Sequence, residues 1–413
     1  MTAQTLIALI LGALLLQLCL GVGVAFWRWR AAADQGPAAA PTSGANAATG
    51  AWAGWRAFRV VSREAEDIAQ TQVSFRLEPV DGQTLPPFPP GQYLTLSVSC
   101  SGPPGAPAPR TLTRCYSLSD QPDPARYRIT VKRVGPPADR PDLPRGVVSN
   151  HLHDAVFEGA EIQVRCPAGG FVLDDDIGTP AVLIAGGVGI TPIMSMVQWS
   201  RIAQPGRPLH VYYAVRHGGE HAFKSALERI AEADPAFRLT VIYSRPGPLD
   251  RLGVDFQQAG RLDIDLLKRT LPEGRRAFYV CGPTAMMETL VPALRAWGVA
   301  ESDLHFEGFG PASAKPSRGP SYALDPSRPS VDVAFRRSGR TLAWNDGDAN
   351  LLDFAERHGI AVDSGCRTGA CGACETKVLS GSVRYAETPE FDIRPGHCLL
   401  CVGRPDSPLQ LEA

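Results

Sequence analysis

The sequence lacks an excess of charge of either sign. Its 413 residues include 41 basic and 42 acidic residues, so bulk electrostatics does not favour a nucleic-acid partner. It also lacks an internal repeat, and its ten cysteines do not follow the spacing of a disulfide framework. We therefore expect two to four domains in a reducing compartment, with ligands bound at local sites. Four cysteines are interpreted as free thiols: Cys100, Cys115, Cys166 and Cys281.

Cysteines are concentrated near the C-terminus. Cys366, Cys371 and Cys374 follow the order Cys-x4-Cys-x2-Cys, and Cys398 and Cys401 lie downstream as candidates for a fourth position. This spacing is typical of a plant-type [2Fe-2S] site, in which four thiolates hold two irons. A structural zinc site would instead show paired Cys-x2-Cys or Cys/His spacings. Glycines beside the cysteines suit a tight loop whose N–H groups approach sulfur: Gly365, Gly369 and Gly372.

The N-terminal region contains an apolar run from Thr5 to Trp27. These 23 residues would span about 34 Å as a helix, which is enough to cross a bilayer. A cleaved signal peptide would carry positive charge before the run, whereas Arg28 and Arg30 follow it. We predict a single-pass membrane helix over residues 5–27 in the inner membrane, with the lipid bilayer as partner and the catalytic domains in the cytoplasm. Residues 31–54 then form a flexible linker.

Residues 55–176 contain short β-like segments separated by proline and glycine, which predict an antiparallel β-barrel. The segments are Phe58–Ser62, Val73–Leu77, Tyr93–Val98 and Tyr127–Arg133. Three motifs lie in this region: Pro90-Gly-Gln-Tyr93, Arg114-Cys-Tyr-Ser-Leu118 and Gly146-Val-Val-Ser149. His151 and His153 follow without a third ligand nearby, so we interpret them as the exposed face of a helix start rather than a metal site.

Residues 177–312 alternate apolar strands with helical stretches, as in a doubly wound α/β sheet. The strand Ala181–Ala185 leads into Gly186-Gly-Val-Gly-Ile-Thr-Pro192. Strand, glycine turn and helix in this order present backbone N–H groups to a diphosphate. Cys281-Gly-Pro283 ends a later strand, and Glu307-Gly-Phe-Gly310 ends the domain.

The C-terminal part is predicted to be a separate α+β domain. Residues 313–327 have the Ser, Gly and Pro content of a linker. Within residues 328–413, Val331–Arg337 and Arg340–Trp344 predict a β-hairpin, and the apolar positions of Leu351–Ala355 predict a helix that ends at Gly359. This is the pattern of a β-grasp ferredoxin, and it carries the cysteines described above.

These motifs resemble the ferredoxin-NADP reductase superfamily. The order of flavin, nucleotide and ferredoxin domains resembles phthalate dioxygenase reductases, which bind FMN. Residues 132–149 resemble the longer loop of flavohaemoglobin-like reductases, which bind FAD. We therefore expect FAD, with FMN as the alternative. The membrane helix and this loop depart from the phthalate dioxygenase reductases, so the soluble oxygenase partner of that family is not carried over.

The resemblance implies a role for each residue of the flavin motifs. Arg114 would bind a flavin phosphate through its guanidinium group. Tyr116 would offer an aromatic face to the flavin ring, and Ser117 would place its hydroxyl near flavin N5. The helix that opens at Gly146 would bind the pyrophosphate. The implied flavin-binding residues are Arg114, Tyr116, Ser117, Leu118, Gly146, Val147, Val148 and Ser149.

The resemblance also assigns the NAD(P)H site. Cys281 and Gly282 would border the nicotinamide, and Phe309 would cover the exposed face of the flavin. Ser117, Cys281 and Phe309 would form the catalytic set. Cys281 would pack against the nicotinamide or steer it, because no paired histidine is evident that would make the thiol a nucleophile. Arg245 either meets a 2′-phosphate or is solvated, so NADH and NADPH stay open. The implied diphosphate residues are Gly186, Gly187, Gly189, Thr191 and Pro192.

The three predicted centres define a function. NAD(P)H gives a two-electron hydride and the cluster takes single electrons, so the flavin between them must accept electrons in pairs and release them one at a time. The eight histidines form neither a Rieske nor a diiron pattern, so an external one-electron acceptor such as an oxygenase, desaturase or haem protein is needed. The alternative is a non-catalytic membrane redox sensor or assembly subunit with the same cofactors. The implied iron ligands are Cys366, Cys371, Cys374 and Cys401, with Cys398 spare.

Overall fold

The computed structural model describes residues 52, 54–100, 110–136, 141, 145–309, 330–345, 348–386, 388–389, 391 and 393–413. The predicted membrane helix over residues 5–27, most of the tether over residues 31–54 and the linker over residues 313–327 lie outside this part of the chain. Within the described ranges, no helix has both the length and the apolar character needed to cross a bilayer.

The first sheet is antiparallel and closes around an apolar core, as predicted. Its strands follow the spatial order β4-β3-β6-β1-β2-β5. Alternate side chains point inward, and Phe58, Phe75 and Leu94 are fully buried. Two of the six strands, β4 and β6, are additions to the predicted segments. The strands are β1 (Arg56–Ala65), β2 (Gln72–Pro79), β3 (Tyr93–Cys100), β4 (Arg110–Ser117), β5 (Tyr127–Lys132) and β6 (Glu161–Ala168).

Helix α1 (Val147–Ala155) packs against this barrel, and one expectation about it is wrong. His153 is buried rather than exposed, with its Nε2 atom 2.9 Å from the Val131 carbonyl oxygen. Burial lowers the pKa of His153. Leu152 is also fully buried, so α1 directs this face into the barrel core, where a neutral histidine is held by a backbone hydrogen bond.

The second sheet is parallel, with helices on both faces, as expected for a doubly wound fold. Its order is β10-β9-β8-β7-β11-β12. From β7 the chain adds β8, β9 and β10 on one side and then returns to add β11 and β12 on the other, which puts a switch point between β7 and β11. Ligands bind at such a switch point, outside the carboxyl ends of the strands. The strands are β7 (Ala181–Gly186), β8 (Leu209–Val215), β9 (Phe237–Tyr243), β10 (Gln258–Ala259), β11 (Ala277–Pro283) and β12 (Leu304–Phe309). The helices are α2 (Ile190–Ala203), α3 (Lys224–Ala233), α4 (Ile264–Thr270) and α5 (Thr284–Ala296).

The third sheet contains the predicted hairpin and helix. Its order is β14-β13-β19-β15-β17, and β16 pairs with β18 beside it. Helix α6 (Leu351–Arg357) is capped by the Asn350 side chain and ends before Gly359, whose φ is +69°. The strands are β13 (Val331–Phe335), β14 (Arg340–Trp344), β15 (Glu375–Ser380), β16 (Val383–Tyr385), β17 (His397–Leu399), β18 (Gly403–Pro405) and β19 (Leu409–Leu411).

Candidate redox site

The predicted flavin residues on β4 point to both faces of the barrel wall. Because successive side chains of a strand alternate, Arg114 and Tyr116 lie on one face, and Cys115 and Ser117 lie on the other. Leu118 is fully buried in the barrel core, so its side chain packs the barrel rather than lining the site. The sequence motif therefore contains residues with different structural roles.

Arg114 joins the barrel to the cysteine loop, which we define as residues 363–374. Its guanidinium donates to the Thr113 carbonyl at 2.7 Å and to the Ser364 carbonyl at 3.2 Å. Tyr116 packs against the barrel core, and burial raises the pKa of its phenol, which stays neutral. The predicted phosphate ligand and the predicted iron site are thus neighbours.

Helix α1 begins at a residue where a side chain does not fit. A Cβ on Gly146 would lie 2.8 Å from Ser149 Oγ and 2.9 Å from Val134 Cβ. Ser149 Oγ accepts from the Val134 N–H at 3.4 Å, which ties the preceding loop to the first turn. Val148 is buried, whereas Val147 is 51% exposed. The first N–H groups of α1 have no partner within the helix, and the exposed Val147 places this turn at an accessible surface, as pyrophosphate binding requires.

The glycine turn after β7 contacts the end of β11. Gly187 has a φ of +54°, a left-handed conformation that glycine adopts without strain. A Cβ on Gly189 would lie 2.6 Å from the Cys281 carbonyl carbon and 2.9 Å from the Gly282 nitrogen. A Cβ on Gly186 would lie 2.8 Å from Cδ of Pro283, the residue after Gly282. The predicted diphosphate turn and the predicted nicotinamide residues therefore pack directly against each other.

The first turn of α2 contains the remaining predicted diphosphate residues. Thr191 Oγ1 donates to the Val188 carbonyl at 3.0 Å, so its hydroxyl is engaged within the turn. Pro192 is buried in the first turn, where its missing N–H removes no helical hydrogen bond. The Ile190 N–H donates to the Gly187 and Val188 carbonyls and Pro192 has no N–H, so the turn offers an anion the positive end of the α2 dipole rather than the Thr191 hydroxyl.

Cys281, Gly282 and Phe309 lie at the carboxyl ends of two paired strands. Cys281 of β11 pairs with Glu307 of β12, and Pro283 pairs with Phe309. Complete burial and the nearby Glu307 carboxyl raise the pKa of the Cys281 thiol well above its usual value. A protonated thiol is a poor nucleophile, which agrees with a packing or steering role. Glu307 was assigned no role from the sequence. Burial raises the pKa of its carboxyl group to about 8.

The predicted iron ligands form two pairs. The Cys366 N–H donates to Cys371 Sγ at 3.2 Å, and the Cys401 N–H donates to Cys374 Sγ at 3.4 Å. The amides of Thr368 and Ala373 also donate to cysteine sulfurs. In the described part of the chain, no three His, Cys, Asp or Glu side chains are gathered as for a single metal ion. Two pairs of thiols suit two irons rather than one zinc.

Cys398 differs from Cys401 in its surroundings. It lies on β17 opposite Thr376 of β15 and is buried in the ferredoxin core. Burial raises the pKa of the Cys398 thiol to about 12. The contact of Cys401 with Cys374 is instead made by the backbone that follows β17. This placement is consistent with Cys398 as a spare, core-packing cysteine.

The cysteine loop packs against the barrel wall formed by β3 and β4. Tyr93 of β3 lies beside Cys366, and Cys115 of β4 borders the same space as Cys371, since a Cβ on Gly365 would lie 3.3 Å from Cys115 Sγ and 2.7 Å from Cys371 Sγ. Arg165 donates to the Cys371 carbonyl at 3.4 Å, and its guanidinium lies 4.5 Å from the Trp55 ring and 4.8 Å from the Phe391 ring. We call the cysteine loop with Tyr93, Cys115 and Arg165 the cluster junction.

Three buried polar atoms around this junction have no hydrogen-bond partner among the described residues: Tyr93 Oη, Arg165 Nε and Glu307 Oε2. Buried polar atoms without a partner are costly, so they indicate a group that completes the site. Together with the paired thiols, they fit a [2Fe-2S] cluster beside a flavin. When bound, the flavin accepts hydride from NAD(P)H and releases single electrons to the cluster.

Sequence reasoning missed the side chains that line this junction. Tyr93 lies in a motif noted above and Cys115 lies between two predicted flavin residues, but neither was assigned a role toward the iron site. Arg165 and Glu307 carry no local signal, because their relevance depends on contacts more than 50 residues away in sequence. The buried atoms Arg165 Nε and Glu307 Oε2, which have no hydrogen-bond partner among the described residues, are the features that identify them.

Three family models match successive parts of the chain. An oxidoreductase FAD-binding domain matches residues 59–173, an oxidoreductase NAD-binding domain matches residues 183–291, and a 2Fe-2S iron-sulfur cluster binding domain matches residues 333–406. These matches confirm the expected cofactors: FAD, a [2Fe-2S] cluster and NAD(P)H.

The chain is also similar to individual proteins. The flavohemoprotein of Deinococcus radiodurans is 42% identical over 265 residues, which cover 64% of this chain and 62% of that protein. The chain thus spans less than two thirds of the length of such curated relatives. The flavohem-like FAD/NAD-binding domain of nitric oxide dioxygenase from Vibrio cholerae is 32% identical with a TM-score of 0.52, over 62% of this chain and 99% of that one.

Phthalate dioxygenase reductase matches a larger part of the chain. It is 25% identical with a TM-score of 0.51, and the match covers 87% of this chain and 98% of that one. The chain belongs to the ferredoxin-NADP reductase superfamily and carries a 2Fe-2S domain in addition to its FAD and NAD domains. Its three domains are thus oxidoreductase domains for FAD and NAD and a domain that binds a 2Fe-2S cluster.

Proposed function

We propose that this reductase is the electron-supplying component for a separate one-electron acceptor protein, and that residues 5–27 anchor it to the cytoplasmic face of the inner membrane. The acceptor is an oxygenase, a desaturase or a haem protein. The names of the flavohemoprotein and of phthalate dioxygenase reductase associate related reductases with haem and with an oxygenase, and these names support that acceptor class.

The observation that carries the proposal is the two-sided position of the cysteine loop. One side contacts the barrel wall through Cys366 beside Tyr93 and Cys371 beside Cys115. On the other side, Thr368, whose amide donates to Cys366 Sγ, is exposed. A site that contacts the flavin domain and also reaches the surface suits a centre that receives electrons inside the chain and passes them to a partner.

The predicted residues, apart from Leu118 in the barrel core, have roles in this proposal. Cys366 and Cys371 bind one iron, and Cys374 and Cys401 bind the other. Ser117 faces the flavin, Tyr116 packs against the barrel core on the opposite face of β4, and Arg114 and the first turn of α1 are the phosphate donors. The turn from Gly186 to Gly189 and the first turn of α2 bind the NAD(P)H diphosphate, while Cys281, Gly282 and Phe309 position the nicotinamide against the flavin.

The electron route is tested by comparing two acceptors in the full-length protein. Ferricyanide takes electrons directly from a flavin, whereas cytochrome c, standing in for the partner, depends on the cluster. We expect Cys371→Ser to leave ferricyanide reduction within about twofold and to reduce cytochrome c reduction more than about tenfold. The control is Cys166→Ser, a barrel cysteine outside the junction, which retains both activities. Equal retention of both activities in Cys371→Ser contradicts the proposed route.

The membrane anchor has an independent test. We expect full-length protein to stay in the membrane fraction after alkaline carbonate extraction, and the catalytic domains to be digested by protease added from the cytoplasmic side. Deletion of residues 1–30 releases the protein and retains NAD(P)H–ferricyanide activity. Carbonate release of the full-length protein contradicts a spanning helix without affecting the assignment of the redox domains.

A further inference from the structure

Cys115 is a cysteine of the flavin barrel that no assignment above uses. It lies on β4 opposite Thr95 of β3, between Arg114 and Tyr116 in sequence. Strand alternation places its side chain on the face of β4 opposite to those two residues, the face that it shares with Ser117. Cys115 is half-buried, so its thiol is neither a core group nor a fully solvated one.

The thiol of Cys115 lies beside a predicted iron ligand in another domain. A Cβ on Gly365 would lie 2.7 Å from Cys371 Sγ and 3.3 Å from Cys115 Sγ, so both sulfurs border the same small space. The absence of a side chain at Gly365 allows this approach, which is therefore built into the loop.

The chemistry of the two sulfurs differs. As an iron ligand, Cys371 is a thiolate, which accepts hydrogen bonds and donates none. Cys115 is outside the ligand set and carries an S–H that donates. Thr95 Oγ1 lies 3.5 Å from Cys115 Sγ, and its hydroxyl can donate to this sulfur, which leaves the Cys115 proton for Cys371. Hydrogen bonds to ligating sulfurs stabilise the more negative, reduced cluster and so raise its reduction potential.

We propose that Cys115 is a positioning residue for the cluster, donating an S–H···S hydrogen bond from the flavin barrel to Cys371 that raises the reduction potential of the cluster. This inference rests on the proposed assignment of Cys371 as a ligand. This hydrogen bond gives the barrel wall a direct influence on the cluster, in addition to the flavin-binding role of the barrel. The potential that the cluster shows in this chain then depends on the packing of the ferredoxin domain against β4.

The test uses three full-length variants with the cluster loaded: Cys115→Ala, Cys115→Ser and the control Cys166→Ala. The midpoint potential is measured by a redox titration monitored by electron paramagnetic resonance. We expect Cys115→Ala to shift the one-electron equilibrium toward the oxidised cluster by up to about tenfold, which is a potential lower by up to about 59 mV. Cys115→Ser restores the potential because a hydroxyl also donates, and Cys166→Ala leaves it unchanged.

A spectroscopic readout separates hydrogen bonding from simple packing. Comparison of the reduced protein in water and in deuterium oxide should show one exchangeable proton coupling to the cluster in the parent chain and in Cys115→Ser that Cys115→Ala lacks. An equal shift in Cys115→Ala and Cys115→Ser overturns the proposal, because volume rather than a donor would then matter. Loss of the cluster in both variants also overturns it, since Cys115 would then be a ligand or a structural group.

The proposed function and this inference fail in different ways. If Cys371→Ser retains the visible absorbance and the iron of the cluster, Cys371 is not a ligand, and both the site assignment and the role of Cys115 are wrong. If Cys371→Ser loses the cluster but Cys115→Ala keeps the parent potential and spectrum, the ligand assignment stands and the hydrogen bond from Cys115 is rejected.

Discussion

The nucleotide turn and the cluster junction are built from different parts of the chain. The turn from Gly186 to Gly189 is one short segment whose backbone packs against the backbone of Cys281 and Gly282. The junction instead joins a cysteine loop to side chains from three barrel strands. Backbone atoms cannot rotate away as a side chain can, so a substitution in the turn should displace β11 and disturb the whole nucleotide site. A junction of side chains can change in strength while its centre stays in place.

The largest effect is expected at the cysteine pair that holds the second iron. We predict that Cys401→Ser abolishes the cluster, because a pair reduced to Cys374 alone cannot complete the four-thiolate set. Visible absorbance and iron content of the purified protein measure this loss. NAD(P)H–ferricyanide reduction should persist, since the FAD and NAD domains are unchanged.

The matched control is Cys398→Ser, three residues away. Cys398 is 1% exposed in the ferredoxin core, so a buried hydroxyl should cost about 1–3 kcal/mol of stability without removing a ligand. We expect this variant to keep its cluster and to unfold at a lower urea concentration. Loss of the cluster in Cys398→Ser with retention in Cys401→Ser would reverse the ligand assignment.

The second prediction breaks the nucleotide turn. In Gly189→Ala, the added methyl group would meet the backbone of Cys281 and Gly282 rather than the flexible end of a side chain. Such overpacking costs about 1–3 kcal/mol, so kcat/KM for NAD(P)H should fall about tenfold or more, while FAD and cluster absorbance are retained. Steady-state kinetics over a range of NAD(P)H concentrations measures the loss.

Gly187→Ala is the comparison for this variant. Its Cβ would meet no atom within 4 Å, but its φ of +54° adds about 1–2 kcal/mol of backbone strain. We expect a lower thermal midpoint with a smaller change in kcat/KM than in Gly189→Ala. A parent-like KM in Gly189→Ala would show that β11 yields to the methyl group and that the contact does not define the turn.

The same contrast explains what could be predicted from the sequence. The strand, glycine turn and helix around Gly186 are local, and their residues occur in the order in which they act. The cysteine loop is local too, so its spacing indicated the type of cluster. Glu307 and Arg165 act through contacts with distant segments, and no local periodicity or motif reports that a polar atom will be buried without a partner.

The exposure expected for His153 was wrong for a related reason. It was correctly predicted to be in a helix, although it lies in the last turn of α1 rather than at its start. The face of α1 that packs against the barrel depends on β5, which supplies the Val131 carbonyl. In the same way, the side chain of Leu118 turns into the barrel core although it adjoins Ser117 in a cofactor motif. Sequence patterns identified the elements, and the packing between elements determined which side chains of each element line the site.

The third prediction weakens the junction without removing the cluster. Arg165 is held between the Trp55 and Phe391 rings and donates to the Cys371 carbonyl. Each cation–π contact contributes about 0.5–2 kcal/mol, so Arg165→Ala should loosen the cysteine loop and lower cytochrome c reduction about threefold to tenfold. Ferricyanide reduction and iron content should be unchanged. Arg165→Lys keeps the charge but not the planar stacking, and we expect an intermediate rate. Parent-like cytochrome c reduction in Arg165→Ala would show that this contact does not hold the loop.

The smallest effect is confined to acid and to the nucleotide domain. His221 is buried beside Tyr213 and Tyr243, its Nδ1 atom is 2.8 Å from the Tyr243 hydroxyl, and burial lowers the pKa of His221 to about 4. Because the folded pKa lies below the unfolded value of about 6.5, protonation favours unfolding, and stability falls as the pH decreases from about 6.5 to 4. The largest contribution of this proton linkage to the free energy of unfolding is on the order of 3 kcal/mol.

His221→Gln lacks this proton linkage, so its urea midpoint should change less than that of the parent chain between pH 7 and pH 4.5. The control His217→Gln replaces a more exposed histidine of the same loop and should follow the parent profile. If His221→Gln and the parent lose stability in parallel, then acid acts on another part of the molecule, and the buried histidine does not set the acid limit of the nucleotide domain.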